Sequence, residues 1–474
     1  MASALLEKGR GWGRATPASF FCLFERRFRT SVRWTGCDEF HDYNPTMDIE
    51  AFTNAINNGL GRVHLWLKEH PWQPYAEAIR HVCLHNTAYD RQCERSRAEY
   101  VYEIIRLTNA PEYFAEIITM GLLASKDFGD TCHLYHLARL LAQDGNAAAR
   151  EAMYAKFKQD DAEDHFVGAD QIFRLDGITG LFFVLERIGR WSKTHPEYWE
   201  DYSLLSEAKE VLGDEVMAQV AQAAQTNPDI GRYMALYERW EREDKERTPT
   251  ASVWKNWTYA ELRQRIVEKP SDVPRHWLFI WGRNAAEDSL REAAADVMQE
   301  SDPERLLAYL RIFARSRFPL DPQRLIELAA DDNTEIATAS RRALQHIQHD
   351  SVRLYAMKVI EQGKGDGDVV RLLALNYAAG DERVIESLLI AQTDEDELHW
   401  MCHAAVKVFE ANVGAELLPS LLQVYERCRC SICRAEAVEV LMARKLIPEW
   451  MAEECRYDSS EDIRKAVAQG AKGG

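Results

Sequence analysis

Soft thiolates and imidazoles are concentrated in two short segments toward the C-terminus. The residues are His399, Cys402 and His403 in the first segment and Cys428, Cys430 and Cys433 in the second. On a helix, positions i, i+3 and i+4 share one face, so the first three side chains point the same way. Thiolates and imidazoles are the ligands that zinc prefers. The pattern indicates a zinc site if neighbouring helices bring the two segments together.

A packing role for the same six residues is the competing interpretation. The spacing of Cys428, Cys430 and Cys433 is not that of paired CxxC knuckles, and cysteine is a common small core residue where helices touch. We therefore predict no metal site, no catalytic residue and no cofactor. Whether these residues bind a metal stays open on the sequence alone.

Two other segments contain residues that often occur in functional sites, but their patterns predict only structural roles. His133 and His136 lie on an amphipathic pattern without a carboxylate at catalytic spacing, which favours a packed or surface histidine pair. Residues 170–180 lack the Asp ladder of a calcium loop. We predict that they form a connection, with a tight turn at Asp176 and Gly177.

Local signatures of common enzyme classes do not occur in the chain. It has no GxxxxGK[ST] phosphate loop, no GxGxxG, no HExxH and no GxSxG. This argues against the enzymes that such motifs mark. It does not argue against an enzyme whose acid and base come from distant helices.

The charge and composition of the chain limit the kinds of partner that it can bind. The 474 residues include 58 basic and 76 acidic ones, for a net charge of −18, and no basic stripe stands out. Such a chain repels phosphates, so we predict no nucleic-acid partner. No run approaches 18 apolar residues, so we predict no membrane span. Ten scattered cysteines favour a reducing cytoplasm over a secreted disulfide scaffold.

Apolar residues recur at helical spacing from Met47 onward, and strand-like alternation is almost absent. The chain is therefore predicted to be all-α. Thr258 with Glu261, and Ser301 with Glu304, have the spacing of helix N-terminal capping boxes. Gly189 is among the glycines that we expect to end helices.

One helical pattern recurs in the second half of the chain: a small residue is followed by apolar residues at +3 and +4. The copies begin at Ala294, Ala356, Ala405 and Ala437, and Arg291, Arg353 and Arg434 precede three of them by three positions. A single unit of this size cannot bury its own apolar side. Recurrence thus predicts an α-solenoid of stacked antiparallel helix pairs of the HEAT or armadillo kind.

The segments around these arginines resemble the short HEAT-like repeats of phycobilin lyases, over residues 288–469. The resemblance implies that each arginine bonds a turn carboxylate of an adjacent repeat and that the second helices line a concave face. Cys402 takes the arginine position in one copy, and the Ala positions are unevenly spaced. The array is therefore expected to be bent or interrupted there.

Four segments are predicted. Residues 1–46 are expected to be an N-terminal extension outside the fold, with a targeting or flexible tail as the alternative. Residues 47–240 form a helical region, either an irregular part of the solenoid or a separate domain. Residues 241–256 are the linker or junction, because they are polar and contain proline. Residues 257–474 hold the repeats.

A repeat array offers an extended surface with little demand on individual side chains. The sequence therefore predicts a non-catalytic scaffold that mediates protein–protein interaction, with a protein partner of unspecified identity. Two alternatives stay open. One is an enzyme on a HEAT-like scaffold, lyase-like or other. The second is an acidic regulator or inhibitor of a basic partner.

Overall fold

The computed structural model describes residues 47–159, 166–195, 203–246, 257–414 and 416–470. Within these ranges the regular structure is helical and no strand occurs, which confirms the all-α prediction. None of the described helices combines the length and the apolar character needed to cross a membrane. The predicted extension, residues 1–46, lies outside the described residues.

The first part of the described chain contains eleven α-helices. In order, α1 to α11 are Ile49–Asn58, Arg62–Glu69, Ala76–Leu84, Ala98–Leu107, Pro111–Ala124, Phe128–Gln143, Ala147–Gln159, Ala169–Trp191, Ser203–Leu212, Val216–Thr226 and Pro228–Glu246. Residues 241–246, which the sequence assigns to the linker, instead complete α11. Residues 247–256 lie outside the described ranges.

The second part continues with fifteen α-helices over the described residues. In order, α12 to α26 are Tyr259–Glu268, Arg275–Asn284, Glu287–Gln299, Pro303–Ile312, Gln323–Leu328, Thr334–Leu344, Asp350–Glu361, Gly367–Arg371, Leu373–Asn376, Asp381–Ala391, Glu395–Ala411, Leu418–Arg427, Ser431–Ala443, Glu449–Cys455 and Glu461–Gly470. Short 3₁₀ turns lie at Gln73–Tyr75, Pro270–Asp272 and Phe313–Arg315.

One predicted capping box is confirmed and another is shifted by one residue. Thr258 accepts from the Glu261 backbone N–H while the Glu261 carboxylate accepts from the Thr258 backbone, so this capping box is confirmed. The cap of α15 is Asp302 and not Ser301. Pro303 explains the shift, since proline suits the first position inside a helix and places the cap directly before it.

One prediction about α8 held in part and one was wrong. Residues 170–180 are helical apart from Gly177, where φ is 58° and the chain kinks, at the turn predicted for Asp176 and Gly177. Gly189 does not end a helix, because α8 continues to Trp191. A Cβ at Gly189 would overlap the carbonyl oxygen of Asp229 in α11. The glycine therefore lets two helices approach closely.

Most helices pack against the second helix along the chain as well as against a direct neighbour. In the second part, α13 packs on α15, α15 on α17, α17 on α19 and α22 on α24. The residues that open the recurring pattern, Ala294, Ala356, Ala405 and Ala437, are completely buried. Their small side chains are thus placed where another helix presses close, as the pattern predicts.

The first described helices also contact the last ones. Ser459 N–H donates to the Gly59 carbonyl at 2.8 Å, and the rings of His64 and Tyr457 stack with centroids 4.3 Å apart. Arg62 forms ion pairs with Glu426 and Glu454. We call this contact between residues 57–97 and 395–461 the terminal junction. It brings together segments more than 300 positions apart in the chain.

Candidate metal centre and arginine cleft

Three thiols lie around one tight corner between two helices. Cys428 follows the last residue of α23, Cys430 caps the start of α24, and Cys433 lies in the first turn of α24. All three residues are at least 97% buried. Because the connection is only three residues long, the corner holds the thiols near one another with little freedom.

The helix α22 brings an imidazole to the same corner, because it packs on α24. His399 Nδ1 lies 3.7 Å from Cys433 Sγ. One potential ligand atom from each of His399, Cys430 and Cys433 lies within 4.8 Å of the other two. Cys428 hydrogen-bonds to both His399 and Cys433. His399, Cys430 and Cys433 therefore converge on one position, and Cys428 lies beside them.

Cys402 lies beside the cluster on α22. It is completely buried one turn after His399 on α22, and its thiol hydrogen-bonds to Cys428. That hydrogen bond and burial raise the pKa of Cys402, and the same bond lowers the pKa of Cys428. Cys402 thus remains a thiol that donates to a thiolate.

Electrostatics divide the three corner thiols, because hydrogen bonds lower the pKa of Cys428 and Cys430 and raise the pKa of Cys433. A hydrogen bond from Cys433 lowers the pKa of Cys430 to about 5, and the N-terminal end of α24 favours negative charge there. Burial opposes a charge on His399, yet hydrogen bonds with Cys428 and Cys430 raise its pKa to about 10. A buried group of thiolates is the environment in which a soft cation binds.

The cluster adjoins the terminal junction. The Tyr89 ring stacks on His399 with centroids 4.4 Å apart, and the Tyr89 hydroxyl donates to Asp396 at 2.7 Å. Arg97 donates to the Arg429 carbonyl at 2.7 Å, inside the three-residue corner that carries the thiols. The corner is therefore held from the N-terminal side of the molecule as well.

Not every histidine singled out in the sequence joins the cluster. His403 hydrogen-bonds with Arg371 at 3.4 Å, and burial and then the Arg371 charge lower the pKa of His403. His133 is buried, with Nε2 at 2.9 Å from the Val82 carbonyl oxygen. His136 hydrogen-bonds with Ser96. The pair is packed, as predicted.

Two of the recurring arginines bond carboxylates farther along the chain, one at the start of α21 and one between α25 and α26. Arg353 donates to Asp381 at 2.8 Å, and Arg434 donates to Asp458 at 3.0 Å. Arg291 differs, since it pairs with Glu287 on its own helix at an exposed position. The inter-segment bonds therefore occur in the later copies of the pattern.

A cationic cleft of about 230 Å³ lies across three helices, α13, α15 and α17. Its lining is Arg275, Phe279, Leu307, Arg311, Ala314, Thr334, Glu335, Thr338, Ala339 and Arg342. Sequence reasoning missed it. The three arginines are more than 30 positions apart from one another, so no local basic stripe marks the site.

The arginines of this cleft are weakly compensated. The nearest carboxylate oxygens of the ion pairs at Arg311 and Arg342 are 3.9 and 4.0 Å away, from Glu335 and Asp368. Burial and then the charge of Arg275 lower the pKa of Arg311. The arginines of the cleft are therefore available to bind an anion.

Comparison with known proteins finds no family model, no curated protein and no solved structure that matches this chain.

Proposed function

We propose that the protein is a non-catalytic helical-repeat scaffold that binds an acidic segment of a protein partner in the arginine cleft. The observation that carries the proposal is the convergence of Arg275, Arg311 and Arg342 from three neighbouring helices. Arginine guanidinium groups bond carboxylates with two parallel hydrogen bonds, which gives both strength and orientation.

The scaffold in this proposal is an α-solenoid of antiparallel helix pairs, similar to HEAT repeats. Its support is the packing of most helices on the second helix along the chain. The bonds from Arg353 to Asp381 and from Arg434 to Asp458 add support, because each connects a helix to a segment beyond the next helix. Stacked units of this kind present long surfaces for binding.

Charge argues for a short acidic ligand and against a large polyanion. The whole chain carries a net charge of −18, which repels an extended polyanion at long range. Within a Debye length of about 8 Å at physiological salt, the three arginines outnumber Glu335, the one carboxylate among the lining residues. Leu307 and Phe279 add apolar surface beside them. We place this interaction in the cytoplasm, as the scattered cysteines suggest.

The test is binding of a fluorescein-labelled Glu-rich peptide, measured by fluorescence anisotropy, with a Gln-rich peptide of equal length for comparison. We expect the Glu-rich peptide to bind more tightly and to weaken as salt is added. The double variant R275E/R342E should lose at least about tenfold in affinity, since each charge-assisted hydrogen bond contributes about 1.5–3 kcal/mol.

The matched control is R291E, which reverses an exposed arginine on the adjacent helix α14. It should bind the Glu-rich peptide as the unaltered protein does. Equal affinity for the two peptides, or equal affinity of R275E/R342E and R291E, would overturn the proposed site. The natural partner is then sought by affinity capture from native lysate, with R275E/R342E as the negative control.

A further inference from the structure

We propose that the cysteine corner binds one structural zinc ion through His399, Cys428, Cys430 and Cys433. Structural zinc sites are closed tetrahedra of cysteine and histidine, and three cysteines with one histidine is a common set. Zinc binding at this corner needs no protein partner and does not depend on the arginine cleft.

The distances fit this metal. With bonds of about 2.3 Å to sulfur and about 2.0–2.1 Å to nitrogen, tetrahedral zinc ligands lie about 3.5–3.8 Å apart. Cys433 Sγ and His399 Nδ1 are 3.7 Å apart, and the three atoms of the His399, Cys430 and Cys433 group lie within 4.8 Å of one another. A small inward shift of these three side chains brings their atoms to zinc-ligand spacing, and Cys428, which hydrogen-bonds to His399 and Cys433, supplies the fourth ligand.

The ligand types select the class of metal. Thiolates with an imidazole suit zinc, whereas magnesium and calcium require oxygen ligands. The four ligands fill the tetrahedron, so the ion has a structural role. Cys402 is not one of the four proposed ligands, and its thiol hydrogen-bonds to Cys428. Such a hydrogen bond to a metal-bound thiolate is a common way to orient a ligand.

The surrounding backbone is also held in place. The guanidinium of Arg434 donates to the carbonyls of Cys428 and Arg429, and the Ser431 N–H donates to the buried carboxylate of Glu94 at 3.0 Å. A corner fixed in this way presents its thiols in one arrangement, which lowers the entropy lost when the metal binds.

The zinc ion would join three elements. His399 belongs to α22, Cys428 follows α23, and Cys430 and Cys433 begin α24. The corner between α23 and α24 also contacts the N-terminal side of the terminal junction, through the bond from Arg97 to the Arg429 carbonyl. Loss of the metal should therefore loosen both the corner and this part of the junction.

The experiment uses the full chain, purified in reducing buffer without added chelator. Elemental analysis by mass spectrometry should find about one zinc per chain. The double variant C430S/C433S should retain less than about a tenth of that amount, because two of four ligands are lost. The control C83S removes a buried cysteine outside the cluster and should keep the zinc of the unaltered chain.

A second measurement does not depend on how well a variant folds. The unaltered chain, with its zinc exchanged for Co²⁺, should show tetrahedral ligand-field bands and an intense thiolate-to-cobalt charge-transfer band. Addition of a chelator should remove these bands and speed hydrogen exchange of residues 428–433 and 94–97. Uptake of neither ion, equal zinc in C430S/C433S and C83S, or a Cys430–Cys433 disulfide in protein that takes up no metal would overturn the proposal.

Discussion

Arg434 and Asp458 form an ion pair with no solvent exposure on either side chain, with Nη2 at 3.0 Å from Oδ1. Asp458 accepts in addition from the Ser460 N–H at 2.8 Å, and Arg434 donates to the carbonyls of Cys428 and Arg429. The pair thus connects α24, the cysteine corner and the turn before α26. Desolvation makes such a pair costly to break but weak as a source of net stability.

Replacement of Asp458 by Asn should lower the free energy of unfolding by about 3–5 kcal/mol, because Arg434 is left with an unpaired buried charge. Urea denaturation of the full chain measures this. The double variant R434M/D458L should be less destabilised than the single one, since no buried charge remains. E287Q removes an exposed pair with Arg291 and should change stability by less than about 1 kcal/mol.

The corresponding pair in an earlier copy of the sequence pattern, Arg353 with Asp381, should contribute less. Arg353 is 29% exposed, and Asp381 is almost fully buried. Without Arg353, Asp381 still accepts from the Ala378 N–H at 2.8 Å, so its carboxylate is not left without a hydrogen bond. We expect R353M to lower the free energy of unfolding by about 1–3 kcal/mol in the same urea experiment. A loss equal to that of D458N would contradict this ranking.

Glu454 should make the stability of the protein depend on pH. Burial raises the pKa of Glu454 from an ordinary 4.5 to about 7, against the opposing charge of Arg62. The folded state therefore holds the proton more tightly than the unfolded state. By linkage, folding takes up a proton between these pH values, and the free energy of unfolding falls as pH rises from about 4.5 to about 7. Over this range the free energy of unfolding falls by about 3 kcal/mol.

E454Q carries a neutral side chain of the same shape, so its stability should lack this drop. The difference between E454Q and the unaltered chain should grow in favour of the variant by about 3 kcal/mol from pH 4.5 to pH 8, measured by urea denaturation. E453Q changes the adjacent, more exposed glutamate and serves as the control. Parallel pH profiles for E454Q and the unaltered chain would show that Glu454 does not titrate in this range.

Features with local causes were predictable from the sequence. Helical periodicity predicted the all-α class, the spacing of Thr258 and Glu261 predicted a capping box, and the buried positions of Ala356 and Ala437 followed from their pattern. Each depends on residues within a few turns of one another, where helix geometry fixes the neighbours.

The terminal junction could not be predicted, because Arg62 and Glu454 are 392 positions apart and no local pattern links them. The cysteine cluster was predictable only in part. The sequence placed His399 and His403 together on α22, but only packing against α24 determines that His399 faces the thiols and His403 faces Arg371. Long-range packing therefore decides which of two histidines, one turn apart on the same helix, lies against the cysteine cluster.

Gly61 tests the terminal junction directly. Its φ of −65° and ψ of −18° suit any residue, so replacement by alanine adds no backbone strain. The added Cβ would, however, overlap the Glu454 carbonyl oxygen and press on the backbone of Tyr457. Backbone atoms there cannot rotate away as a side chain can. We expect G61A to lower the free energy of unfolding by about 1–3 kcal/mol, as overpacked sites do.

The matched control is G414A, because a Cβ at Gly414 meets no atom within 4 Å. Urea denaturation of both variants measures the difference in their free energies of unfolding. Hydrogen exchange shows which residues are destabilised. G61A should speed exchange in residues 57–64 and 454–459 while leaving α13 to α17 as in the unaltered chain, since local opening affects only the elements that lose contact. If G61A and G414A were equally stable, the close contact between Gly61 and Glu454 would not exist in solution.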